Sequence, residues 1–61
     1  MYDINIIVKN DSKIVFKGIA EEWLIKNDYD EEIEEMILEC HSTGKSKRQF
    51  ISGKWECIAL Q

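Results

Sequence analysis

A chain of 61 residues with 12 acidic and 8 basic side chains, one histidine, two cysteines and no proline is one small domain carrying a net charge of −4. Its length and composition exclude a membrane-spanning apolar run, a disulfide framework and the strongly basic balance of a dedicated nucleic-acid binder. A domain of this size buries only about 60 % of its unfolded surface, so a partner chain, a homodimer included, is the expected staple.

Residues 2–9 read as a strand. Tyr2, Ile4, Ile6 and Val8 alternate with Asp3, Asn5, Ile7 and Lys9, a period of two with one apolar lapse at Ile7. Asn10-Asp11 is the expected hairpin turn, because both residues tolerate positive φ. Residues 13–17 form a second strand with Ile14 and Phe16 on one face, ended by Gly18.

Residues 19–27 are less decided. Ile19, Ala20, Trp23 and Leu24 fall at helical spacing, which favours a short helix, but no good N-cap precedes them and a continued strand through Ile19 competes.

Residues 28–40 carry the clearest pattern. Ile33, Met36, Ile37 and Cys40 fall at i, i+3, i+4 and i+7, one stripe of an amphipathic helix. Asp28, three residues before Glu31, fits a capping box, with Asp30 as a second candidate cap. Gly44 supplies the stop. Residues 41–45 follow as a loop, 47–51 as a third strand, Ser52-Gly53 as a turn and 54–60 as a fourth strand. There Trp55, Cys57 and Ala59 share one face, and Ile58 and Leu60 share the other.

The expected fold is therefore α+β: one domain over residues 1–61 in the order β-β-α-α-β-β, with a short antiparallel sheet packed on one or two helices. Its expected core is Ile4, Ile6, Val8, Ile14, Phe16, Trp23, Leu24, Ile33, Met36, Ile37, Cys40, Phe50, Trp55 and Cys57.

No catalytic or cofactor motif stands out, and the chain is expected to be no enzyme. The run Ser42-Thr43-Gly44-Lys45-Ser46 contains the Gly-Lys-Ser end of a phosphate-binding loop. The glycine that pattern needs five residues earlier is Glu39, and the run leaves a helix rather than a strand. His41 with Cys40 and Cys57 makes a thin zinc set, since structural zinc takes four ligands with paired spacing. As a nucleophile pair, adjacent Cys40 and His41 point about 100° apart on a helix, which leaves Cys57 with His41 as the other pairing. His41 reads more simply as a residue of the helix C-terminus. No metal or cofactor is expected. Both thiols are expected reduced and buried, and the protein cytoplasmic.

Charge layout carries the functional expectation. Residues 21–39 hold nine acids (Glu21, Glu22, Asp28, Asp30, Glu31, Glu32, Glu34, Glu35 and Glu39) against Lys26, a charge of −8. The remaining three acids and seven bases give +4. The bland account is strand lysines guarding sheet edges and helix glutamates keeping a small protein soluble. Yet Glu31 with Glu34 and Glu35, Glu32 with Glu35, and Glu35 with Glu39 repel at i+3 and i+4 by a few tenths of a kcal/mol each. That crowding favours a basic partner. Carboxylates on successive turns, about 5.4 Å apart, also repeat at a pitch comparable to nucleic-acid phosphates.

The expected partner-binding surface is thus the acidic helical face, which would engage a basic surface of a larger, nucleic-acid-handling protein. In size, charge and layout, though in no motif, the chain is similar in kind to small phage-encoded inhibitors of host defence, such as anti-CRISPR and anti-restriction proteins. That likeness implies DNA mimicry and inhibition of such a partner. Two alternatives stand beside it. One is a nucleic-acid-binding or regulatory module using Lys45, Lys47, Arg48 and Lys54, with Phe50 and Trp55 interleaved as a stacking platform. The other is a homo-oligomeric structural module paired through the last strand, with Ile58 and Leu60 in the contact.

Overall fold

The computed structural model describes residues 2–50 and 53–60, with Phe50 described by its backbone alone. The order is β1 (Asn5–Asn10), β2 (Lys13–Ile19), α1 (Ala20–Lys26), α2 (Glu31–Thr43), β3 (Lys45–Phe50) and β4 (Gly53–Leu60). The α+β layout expected from the sequence is present. All strands are antiparallel, in the spatial order β2-β1-β4-β3, and both helices pack on one face of the sheet.

The first hairpin turns one residue later than expected. Asn10 pairs with Lys13, and the two loop residues are Asp11 and Ser12, at φ 50° and 70°. Two positive φ values in a two-residue loop match the right-handed twist of the flanking strands. The strand β2 then runs through Gly18 to Ile19 instead of ending at Gly18. A Cβ at Gly18 would stand 3.1 Å from the Phe16 ring, so glycine makes room for that aromatic.

The helix α1 begins immediately after Ile19, which offers no side-chain cap. Carbonyls of the N-terminal segment serve instead: Ala20 N–H donates to Ile4 O and Glu21 N–H to Tyr2 O, both at 2.9 Å. The helix is thereby stitched to the chain leading into β1. Asn27 ends it, its side-chain amide donating to Trp23 O at 2.8 Å. Asp28 and Tyr29 both take left-handed backbone conformations, at φ 54° and 51°, and make the corner between the helices.

That corner decides the cap of α2. Asp30, not Asp28, accepts from Glu32 N–H at 3.0 Å and Ile33 N–H at 3.4 Å. Asp28 is one of the two left-handed residues, whereas an N-cap needs extended backbone. The helix extends past the expected end to Thr43. There Gly44, at φ 85°, closes it with its N–H on Cys40 O at 2.7 Å. The loop expected at residues 41–45 is thus mostly helix. The strand β3 begins at Lys45, and its expected last residue, Ile51, lies outside the described residues, as does Ser52 of the expected turn.

The core forms where Ile6, Val8 and Cys57 of the sheet meet Ala20, Trp23, Leu24, Ile33, Met36, Ile37 and Cys40 of the helices. Tyr2, Ile4, Phe16, Trp55 and Ala59 pack around it. Each fully buried aliphatic side chain contributes about 1.5–3 kcal/mol. Trp23 bridges Phe16 and Trp55, at ring-centroid distances of 5.1 and 6.2 Å. Ile14 corrects the expected core. Val8 pairs with Phe16 but Lys9 pairs with Ile14, so Val15 is an extra residue, a β-bulge. The bulge turns Ile14 to the face opposite Phe16, where it is 59 % exposed.

Candidate interaction surfaces

Strand alternation sorts the charged residues into two layers. On the sheet face turned away from the helices, the register aligns Lys17, Ile7, Ile58 and Lys45 in one cross-strand row, and Lys9, Glu56 and Lys47 in the next. Lys54 and Gln49 form a third pair. Ile14, Ile19 and Leu60 are exposed on the same face. Nothing in the described chain covers this layer.

Lys45, Lys47 and Lys54 therefore share a surface, as the sequence suggested, but Arg48 does not. It sits one position out of phase, on the helix side of β3. There its guanidinium lies 3.6 Å from Glu35 Oε1 and 3.4 Å from Glu39 Oε1. Glu39 also accepts the hydroxyl of Ser46, a buried residue, at 3.1 Å. The expected stacking platform is likewise not assembled. Trp55 points at Trp23 in the core layer, and the Phe50 side chain lies outside the described residues. Lys9 and Lys17, which sequence reasoning left out, join the lysine face. The alternation that buries Ile6 and Val8 was the signal for Lys9.

All nine acids of the expected partner-binding set lie on α1, α2 or the corner between them, and they differ in what holds them. Asp30 is spent on the cap. Glu35 and Glu39 are paired with Arg48. Glu34 accepts the Tyr2 hydroxyl at 3.2 Å and Glu21 the Tyr29 hydroxyl at 3.1 Å. Partial desolvation, then these hydrogen bonds to carboxylates, push both tyrosine pKa values up. Glu22, Asp28, Glu31 and Glu32 are exposed, and among the described residues their carboxylates make no ion pair or side-chain hydrogen bond. Ile25, Leu38 and Tyr29 are exposed among these acids, at 58, 51 and 43 %.

The remaining motifs resolve into local structure. Thr43 Oγ1 donates to Glu39 O at 2.9 Å and also bonds Lys45 O, so the Ser-Thr-Gly-Lys-Ser run is a helix end and a strand start. His41 is exposed on the last turn of α2, while Cys40 beside it is buried. Cys40 and Cys57 are free, buried thiols that touch across the α2–β4 interface. Burial pushes both pKa values up, that of Cys57 far above the usual thiol range. Among the described residues no group of three or more His, Cys, Asp or Glu side chains converges as a metal site, and no helix is long and apolar enough to cross a membrane. Comparison with protein-family models, curated proteins and solved structures gives no match.

Proposed function

We propose that the protein is a cytoplasmic, non-enzymatic interaction protein whose outward helical surface binds a basic surface of a larger, nucleic-acid-handling partner. The observation that carries this proposal is the coincidence of uncommitted carboxylates (Glu22, Asp28, Glu31 and Glu32) with exposed Ile25 and Leu38 on one layer. Charge alone would suit a solvated face. Large apolar side chains left in water among those charges suit a protein interface, where steering by charge and burial of an apolar centre act together. Inhibition by mimicry of a phosphate row is the mode such a surface would use, as in the phage inhibitors that the chain is similar to in kind.

The two alternatives are weaker. Direct nucleic-acid binding through the last hairpin loses Arg48 to the helices and loses Trp55 to the core layer. Pairing through the last strand has no free edge to use, because β4 is hydrogen-bonded to both β1 and β3.

The test is affinity capture from cell extract at low and high salt, comparing the parent with the triple variant Glu22→Lys, Glu31→Lys, Glu32→Lys. None of these three side chains serves a cap or an ion pair, so the fold is retained. A basic nucleic-acid-handling protein captured at low salt by the parent and lost by the variant is the expected result. Equal capture by both overturns the proposal.

A further inference from the structure

The uncovered sheet face is a second, separate surface, an apolar strip bordered by lysines. The strip lies on the central strands, where Ile7 pairs with Ile58 and Leu60 extends it. The bordering lysines are on the two edge strands: Lys17 on β2, and Lys45 and Lys47 on β3. Three strand spacings separate Lys17 from Lys45, about 14 Å. An α-helix with its side chains is about 10–12 Å across.

From this match we infer that the face is a docking site for an amphipathic helix of a partner protein, one whose apolar stripe is flanked on both sides by Asp or Glu. The stripe lies along Ile7 and Ile58, and the flanking carboxylates reach Lys17 on one side and Lys45 and Lys47 on the other. Glu56, an acid on this face, sits between Lys9 and Lys47 in the register, which offsets its repulsion of such a helix.

Other occupants fit less well. A second copy placed face to face would oppose lysine to lysine. The chain's own outward helical surface has carboxylates but only isolated apolar residues, not a stripe. A single nucleic-acid strand finds no aromatic ring among the described side chains of this face to stack on. This inference does not rest on the acidic-face proposal, because the two surfaces lie on opposite sides of the sheet.

The probe is a synthetic helical peptide of about 15 residues with a leucine stripe flanked by glutamates, together with a twin carrying lysines instead. Binding is mapped by amide chemical shifts on the intact protein at low salt. Expected are shifts centred on Ile7, Lys17, Lys45 and Ile58, none with the lysine twin, and affinity lower by about tenfold in the Lys17→Glu, Lys45→Glu variant. Both substitutions are at exposed positions, and far-UV circular dichroism checks that the variant is folded. The Glu22→Lys, Glu31→Lys, Glu32→Lys variant should bind the peptide as the parent does. No shifts, or shifts centred on the helices, would overturn the inference. So would equal binding of the twin, or displacement of the peptide by an oligonucleotide or by self-association at the same residues.

Discussion

Arg48 reaches across from β3 to lie 3.4 Å from Glu39 of α2, and that contact ties the acidic side of the helix to the sheet on which its apolar stripe is buried. With Glu35 at 3.6 Å on the same guanidinium, one strand cation offsets two members of the crowded carboxylate set. The repulsion that the sequence implies within α2 is thus partly answered inside the fold.

Replacing Arg48 by Ala should therefore cost more than replacing a lysine of the open face. The Arg48 side chain is one-third exposed, so screening limits the pair, and a loss of about 1 kcal/mol is expected against less than about 0.5 for Lys47→Ala. Urea denaturation at two salt concentrations checks both the order and its origin. The gap between the variants should narrow as salt rises.

The corner between the helices separates two aspartates that look alike in sequence. Asp30→Ala removes two hydrogen bonds to the first turn of α2 and should cost about 1 kcal/mol. Asp28→Gly removes no bond and relieves a left-handed backbone, so it should be no less stable than the parent. Thermal unfolding of the two variants side by side tests the assignment of the cap.

The bulge at Val15 makes a similar contrast in β2 and β1. Ile14→Ala acts on an exposed side chain and should change stability by less than about 1 kcal/mol, whereas Ile6→Ala empties a fully buried site and should cost about 2–5 kcal/mol. Similar losses in the two variants would contradict the shifted register.

Alkaline pH should destabilise the fold. Cys40, Cys57, Tyr2 and Tyr29 all have raised pKa values in the folded state, so above about pH 9 the unfolded chain gives up protons that the native state keeps. Their contribution is complete below the unfolded values near 9 and 10 and declines as pH rises past them. Denaturant midpoints measured from pH 7 to 10.5 should fall most steeply at the top of that range. In the same window a thiol reagent should modify neither cysteine until the protein unfolds.

Much of the architecture was legible because its signals are local. The stripe of Ile33, Met36, Ile37 and Cys40 names both a helix and its buried face, and Gly44 names its end. Alternation along 55–60 correctly separated Trp55, Cys57 and Ala59 from Ile58 and Leu60. The misplaced details depend on geometry that spacing does not encode. Asp28 and Asp30 offer the same capping chemistry, and only the left-handed corner chooses between them. A bulge inserts one residue without any glycine to announce it, so simple alternation places Ile14 in the core. The site suffered from the same blindness. Arg48 is one more cation in a basic stretch until its phase in β3 is known, and the lysine face becomes visible only when Lys9 and Lys17 are set beside Lys45 across four strands.

The strand order has a consequence for how the protein comes into being. The strand β4, which follows the other three in chain order, is inserted between β1 and β3, and its ladder with β1 joins Asn5 to Leu60. During translation the chain can form its first hairpin and its helices, but each leaves apolar surface uncovered until β4 emerges. Closing so distant a pairing is the slow step in chains of this kind. The sheet is therefore complete only once β4 has joined β1 to β3.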